Sequence, residues 1–173
     1  RRLAHYDYWS DKVKRSILLD AKADMVVYGM GEQTIVEIAT GLAAGQTLAD
    51  LRHLRGVAYA LGAKESEILR QESEIRTSNS ETNPKSEIPN PTFPTITLPS
   101  YEEVRDDKPT FAEATRIIHN ETNPYNAKRL VQFHDRQAVV VNPPALPISQ
   151  SAMDAVYALP YTRKPHPSYT AEI

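Results

Sequence analysis

The stretch Ala23-Asp-Met-Val-Val-Tyr-Gly-Met-Gly-Glu-Gln-Thr34 constrains the fold more than any other part of the chain. Met25 to Val27 is a short apolar run with two β-branched residues, bounded by Asp24 before and glycine after. Such a run reads as a buried strand of a parallel sheet. Gly29 and Gly31 then let the backbone turn through conformations closed to other residues. From Glu32 the spacing becomes helical: Ile35, Ile38, Ala39 and Leu42 share one face, and Gly45 stops the last turn. Strand, glycine turn and helix in that order form one edge of an α/β unit.

The flanks extend this pattern. Ser10-Asp11 reads as a helix start followed by the stripe Val13, Ile17 and Leu18, with the aromatic patch His5-Tyr-Asp-Tyr-Trp9 ahead of it. That patch suits either a docking surface or rings packed on further sheet. Thr47 to Leu54 carries leucines at 48, 51 and 54 and predicts a short helix, and Val57 to Leu61 predicts the next strand. Together they would form a βαβ-like unit, right-handed if parallel, over residues 1–62. Such a unit alone has too little core and calls for neighbours.

Residues 63–99 differ in character. Ala63 to Arg76 reads as a solvated helix. Ser78 to Glu87 lacks the apolar surface that offsets ordering entropy. Pro84, Pro89, Pro91, Pro94 and Pro99 impose an extended course. We read 63–99 as a polar, Pro-rich insertion or linker.

Order returns in 100–160. Pro109 suits the first turn of a helix to about Glu121, with Phe111, Ala114, Ile117 and Ile118 as its stripe. Arg129–Phe133 and Ala138–Asn142 predict two strands of a hairpin, and Pro143-Pro144 ends the second. Ser149 caps a helix from Gln150 to Leu159. Residues 161–173 form an aromatic, basic, proline-punctuated tail.

The chain of 173 residues is 40% hydrophobic with net charge −2, a balance that argues against a nucleic-acid binder. No run approaches the roughly 18 apolar residues of a membrane helix. Arg1-Arg-Leu-Ala leads into aromatics instead of an apolar leader, so a cytoplasmic protein is expected. Cysteine is absent. The chain therefore supplies no disulfide, no thiolate nucleophile and no cysteine-ligated metal. The histidines at 5, 53, 119, 134 and 166 are scattered without metal-ligand spacing.

Ala-Asp-x-Val-Val-x-Gly-x-Gly-Glu-x-Thr resembles a turn in the N-terminal domain of the larger radical SAM proteins. Arg1 to Asp20, Leu130-Val-Gln, Val141-Asn-Pro-Pro-Ala145, Tyr157-Ala-Leu-Pro-Tyr161 and His166-Pro-Ser-Tyr169 narrow the resemblance to the YgiQ family. It covers most of the chain except roughly Lys64 to Thr95. The fold it implies is α/β: part of a Rossmann-like, cobalamin-binding-domain-like unit, then the polar insertion and a helix plus β-hairpin segment. The tail would lead toward a radical SAM core outside this sequence. The resemblance implies a [4Fe–4S] cluster and S-adenosylmethionine for the complete protein. The cluster needs Cys-x3-Cys-x2-Cys, so the chain itself is read as a non-catalytic internal fragment whose partner is the rest of its parent chain. Cobalamin is not implied, because no histidine here has Asp two residues before it and Gly three after.

Gly29, Gly31 and Glu32 are the candidate cofactor-binding residues. Gly29-x-Gly31-x-x-Thr34 approaches a dinucleotide fingerprint, but Thr34 replaces the third glycine. Asp50 has the right separation but lies in a leucine-spaced helical stretch. Glu32 would repel an anion at the helix start. A structural turn is therefore favoured over a nucleotide site. His134-Asp135 reads as turn residues rather than a catalytic dyad. Arg163-Lys164-Pro-His166 offers too few charges for RNA recognition. Three readings remain: a piece of a radical SAM protein, a non-catalytic module docking a protein partner, and a nucleotide-binding domain.

Overall fold

The computed structural model describes residues 2–78, 93–161, 164 and 168, and the side chains of all of these but 74–78. The stretch 79–92 and most of the tail, Arg163, His166 and Tyr169 included, lie outside the described residues.

The chain begins with a β-hairpin, β1 (His5–Asp7) and β2 (Lys12–Lys14), paired His5 with Lys14 and Asp7 with Lys12. This corrects the helix start expected at Ser10-Asp11. Serine and aspartate serve turns as readily as caps. Here Ser10 Oγ donates to Asp7 at 2.7 Å, and Asp11 takes a left-handed φ of 50°. The helix comes later: α1 (Ile17–Asp20) is capped by Ser16, whose hydroxyl accepts from the Leu18 N–H.

Next come β3 (Met25–Val27), α2 (Glu32–Ala43) and β4 (Val57–Leu61), with a 3-10 turn at Asp50–His53 where a leucine helix was expected. β3 pairs antiparallel with β4, Met25 opposite Tyr59 and Val27 opposite Val57. The expected parallel βαβ unit is therefore not formed. An unbroken apolar run reports burial on both faces of a strand, not the direction of its neighbour. β3 is also an edge strand, only half-buried.

α3 (Ala63–Ser78) follows, and beyond the undescribed stretch lies β5 (Thr95–Thr97). α4 (Tyr101–Asp106) starts at a capping box in which Ser100 and Glu103 exchange side-chain and backbone bonds. α5 (Lys108–Asn120) is capped by Asp107 and has Pro109 in its first turn. β6 (Arg129–His134) and β7 (Gln137–Val141) form the expected hairpin, and α6 (Gln150–Tyr157) is capped by Ser149.

The strands order as β3-β4-β7-β6-β5, a mixed five-stranded sheet with β5–β6 as its parallel pair. One sheet thus joins strands from both sides of the polar stretch. Its two faces follow the period of two. Val57, Tyr59, Val131, Phe133 and Val140 point to one core with Ile38 of α2, Leu51 and, half-buried, Leu69 of α3. Ala58, Leu130, Val139 and Val141 point to the other with Leu3, Leu18, Leu19 and Leu98, flanked by Ile117 and Ile118 of α5. Both faces are covered by helices, the three-layer solution for an apolar sheet.

Candidate functional site

Two of the buried polar side chains, Arg129 and Asn142, meet where β7 ends, at Val141-Asn-Pro-Pro. Asn142 is 1% exposed. Its side-chain amide donates to the Arg52 and Leu54 carbonyls at 2.8 and 2.7 Å, and its Oδ1 accepts from Arg129 Nε at 3.0 Å. Its backbone N–H donates to the Val57 carbonyl, and its carbonyl accepts the Tyr28 hydroxyl. A buried amide with every group matched fixes its surroundings, because each lost bond would strand a desolvated partner.

Pro143 follows because no further ladder bond is needed there. Its carbonyl accepts from Gly56, whose own carbonyl accepts from the Tyr28 N–H at 2.9 Å. Gly56 supplies a φ of 70° for this exchange. Arg55 Nε donates to the Pro144 carbonyl at 3.0 Å, and its terminal nitrogen donates to Pro124. The ends of β3, β4 and β7 are thus laced together through Asn142.

Cations surround this knot. The Arg2 guanidinium lies 3.7 Å from the Tyr28 ring centroid, a cation–π contact. Burial pushes the pKa of Arg2 down and likewise that of Arg129, while burial pushes the Tyr28 phenol up to about 12. Beside the knot opens a cavity of about 230 Å3, lined by Arg2, Tyr28, Gly29, Glu121 and Lys128 and by the apolar side chains of Leu3, Leu130 and Val141.

The candidate residues from the glycine turn are divided. Gly29, with φ 72°, lines this cavity. Gly31 sits against β3: a Cβ there would lie 2.6 Å from Val27 Cγ1. Glu32 opens α2 on the exposed surface. Thr34, in place of a third glycine, donates to the Arg55 carbonyl at 3.2 Å and ties α2 to the loop before β4. Asp50 bonds Thr47 through its carboxylate, which lowers its pKa, and lies at the 3-10 turn.

Sequence reasoning missed Arg2, Tyr28, Lys128 and Asn142 as site residues. A signal for Asn142 was present: a side-chain amide at the end of a buried β-branched strand, just before two prolines, must find partners of its own.

His134 is a buried polar group at the other end of β6. It is 4% exposed and stacks on Tyr101 with centroids 5.3 Å apart. Neither ring nitrogen has a hydrogen-bond partner among the described residues. Burial, with a smaller contribution from Arg15, pushes its pKa down to about 4. Asp135 lies in an exposed turn at φ 53° and makes no hydrogen bond to the His134 ring, so the two make no dyad.

The sequence carries no cysteine, and no group of three metal-ligating side chains exists among the described residues. The chain's residues do not fit an iron–sulfur cluster. No helix among the described residues is long and apolar enough to cross a membrane.

A mixed helix–sheet–helix domain without cluster ligands does not name a family by its geometry, but the sequence comparison does. The radical SAM N-terminal family model matches residues 1–173, and the chain belongs to that family. Among curated relatives, a UPF0313 protein of Bradyrhizobium diazoefficiens is 45% identical over 98% of this chain and 24% of its own length. A UPF0313 protein of Methanocella arvoryzae is 43% identical over the whole chain and 25% of its own. The UPF0313 protein YgiQ of Salmonella typhimurium is 41% identical over 98% of the chain and 28% of its own. The chain thus spans about a quarter of the length of the relatives it matches. No solved structure matches.

Proposed function

We propose that this chain is the non-catalytic N-terminal part of a YgiQ-type radical SAM protein. In this reading it packs against a cluster-binding core carried elsewhere in the same polypeptide. The observation that supports it most is the pairing of a whole-chain family match with a sequence free of cysteine. The complete protein would bind a [4Fe–4S] cluster and S-adenosylmethionine and cleave the latter reductively in the cytoplasm. This chain's contribution would be scaffold and docking surface. The Rossmann-like, cobalamin-domain-like reading rests on the family resemblance, and the antiparallel β3–β4 pair speaks against a doubly wound parallel sheet within these residues.

The alternative, a module docking a separate protein, is favoured by the tip of the β1–β2 hairpin. Tyr8 and Trp9 lie there with ring centroids 4.7 Å apart, tilted to each other, while 66% and 84% exposed. Exposed paired aromatics are common anchors of interfaces.

The test is anaerobic reconstitution with iron and sulfide. The 173-residue chain should show no cluster absorption and no S-adenosylmethionine cleavage. A polypeptide extended through a Cys-x3-Cys-x2-Cys segment should show both. Stoichiometric cluster binding by the short chain would refute the proposal, as would a reading frame beyond Ile173 without those cysteines.

A further inference from the structure

We propose that the cavity beside Asn142 binds a small amphipathic monocarboxylate, with Arg2 and Lys128 holding the carboxylate and Leu3, Leu130 and Val141 holding the apolar body. The cavity measures about 230 Å3, room for a body of several carbons.

The polar side of the wall decides the charge of the ligand. Arg2 lies face-on to Tyr28, and that ring is its partner among the described residues. Its fork of N–H donors suits a carboxylate and is already held in plane by the ring. A half-buried guanidinium without a carboxylate partner costs desolvation energy that an incoming anion would offset. Lys128 lines the same space. Arg55 is held nearby by the Pro144 carbonyl, and Pro144 lines the cavity too.

One negative group faces the two cations of the wall. Glu121 lines the cavity and accepts the Lys128 backbone N–H at 2.6 Å. It caps the C-terminus of α5, where the helix dipole is also negative. The cations outnumber the carboxylate, so the wall favours an anion, and its apolar side chains favour one carried on a hydrocarbon body over inorganic phosphate. Tyr28, pushed up to about 12, stays neutral, with its proton committed to the Asn142 carbonyl, and adds no charge of its own.

The positions of these residues come from the fold. Leu3 is buried at 6% exposure, and the Ala4 N–H donates to Gln132 Oε1 at 2.8 Å, which anchors Arg2 although it lies near the start of the chain. Gly29 leaves the mouth beside Tyr28 open, with nothing within 4 Å of where its Cβ would stand.

The experiment is a titration of the full 173-residue chain followed by amide NMR shifts. The probes are hexanoate, acetate, hexanol, hexylammonium and inorganic phosphate. Hexanoate should give saturable shifts centred on Leu3, Gly29 and Leu130, and bind more tightly than each of the others. Arg2→Gln should weaken hexanoate roughly tenfold or more, the scale of a lost charge-assisted bond. Lys128→Gln should weaken it less, and Arg136→Gln, on the distant β6–β7 turn, should leave it unchanged. Should Arg2→Gln lose its fold by circular dichroism, the exposed Lys128→Gln carries the test. Equal binding of hexanol and hexanoate would overturn the proposal, as would tighter binding of hexylammonium or phosphate. Unchanged affinity in both cavity variants, or no saturation by any probe, would overturn it too.

Discussion

The Tyr28 hydroxyl donates to the Asn142 carbonyl, a bond between residues 114 positions apart in the chain. It joins the end of the edge strand β3 to the end of the central strand β7, and Arg2 rests on the ring that makes it. The turn after β3 and the loop after β7 are therefore one structural object, and the cavity is its outer face.

Asn142→Ala should be severely destabilising. It strands the Arg52 and Leu54 carbonyls and the Arg129 Nε donor. At about 1–3 kcal/mol for each buried group left unmatched, a combined loss of about 3–5 kcal/mol is expected. Urea unfolding measures it. A loss below about 1 kcal/mol would show that water replaces the amide and that the knot is not what holds these loops.

Acid should weaken the fold through His134. The folded protein keeps this ring neutral down to about pH 4, while the unfolded chain protonates it near 6.5. Between those values the unfolded state binds more protons, so stability rises with pH and is lost on acidification, by about 3 kcal/mol across the window. Arg15 and Asp20 act on the ring with opposite signs, and Tyr101 stacks on it. His134→Phe keeps the stack and removes the proton. Its stability should be flatter between pH 6.5 and 4. Parallel pH profiles for the two proteins would count against the assignment.

Gly41→Ala sets helix propensity against packing. Within α2 an alanine gains about 1 kcal/mol over glycine. Yet a Cβ at this position would lie 2.6 Å from Gln46 Oε1 and 2.8 Å from Leu51 Cδ2, and Leu51 is only 3% exposed. Overpacking of that kind costs about 1–3 kcal/mol. The melting temperature should fall, and a rise would mean that Leu51 moves aside freely.

Trp9 is the single tryptophan of the sequence and is 84% exposed. Its fluorescence in the folded chain should resemble that of an indole in water and be readily quenched by iodide. Trp9→Ala should change stability by less than about 0.5 kcal/mol. In a longer polypeptide carrying the core, the emission should shift to the blue and quenching should drop. An already shielded tryptophan in the short chain would contradict the exposed hairpin tip.

Local chemistry was legible wherever a short segment carries its own answer. The β6–β7 hairpin, α5 with Pro109 in its first turn, α6 behind Ser149 and the run Val57–Leu61 all follow from periodicity, caps and turn residues within a few positions. Ser10-Asp11 misled because the same two residues cap helices and close turns. Only pairing across the hairpin, His5 to Lys14, separates the two.

What the amino-acid sequence determined by itself is composition-level and local: the helices and strands that carry their own caps and periodicity, and that no thiolate is available to hold a cluster. Strand order, the antiparallel placing of β3 beside β4, and the meeting of Arg2, Tyr28, Lys128 and Asn142 were decided by tertiary structure alone. The physical reason is that side-chain periodicity encodes burial but carries no information about the direction of the neighbouring strand. A buried amide such as Asn142 likewise finds its acceptors some 90 residues away, a partnership that no local pattern records.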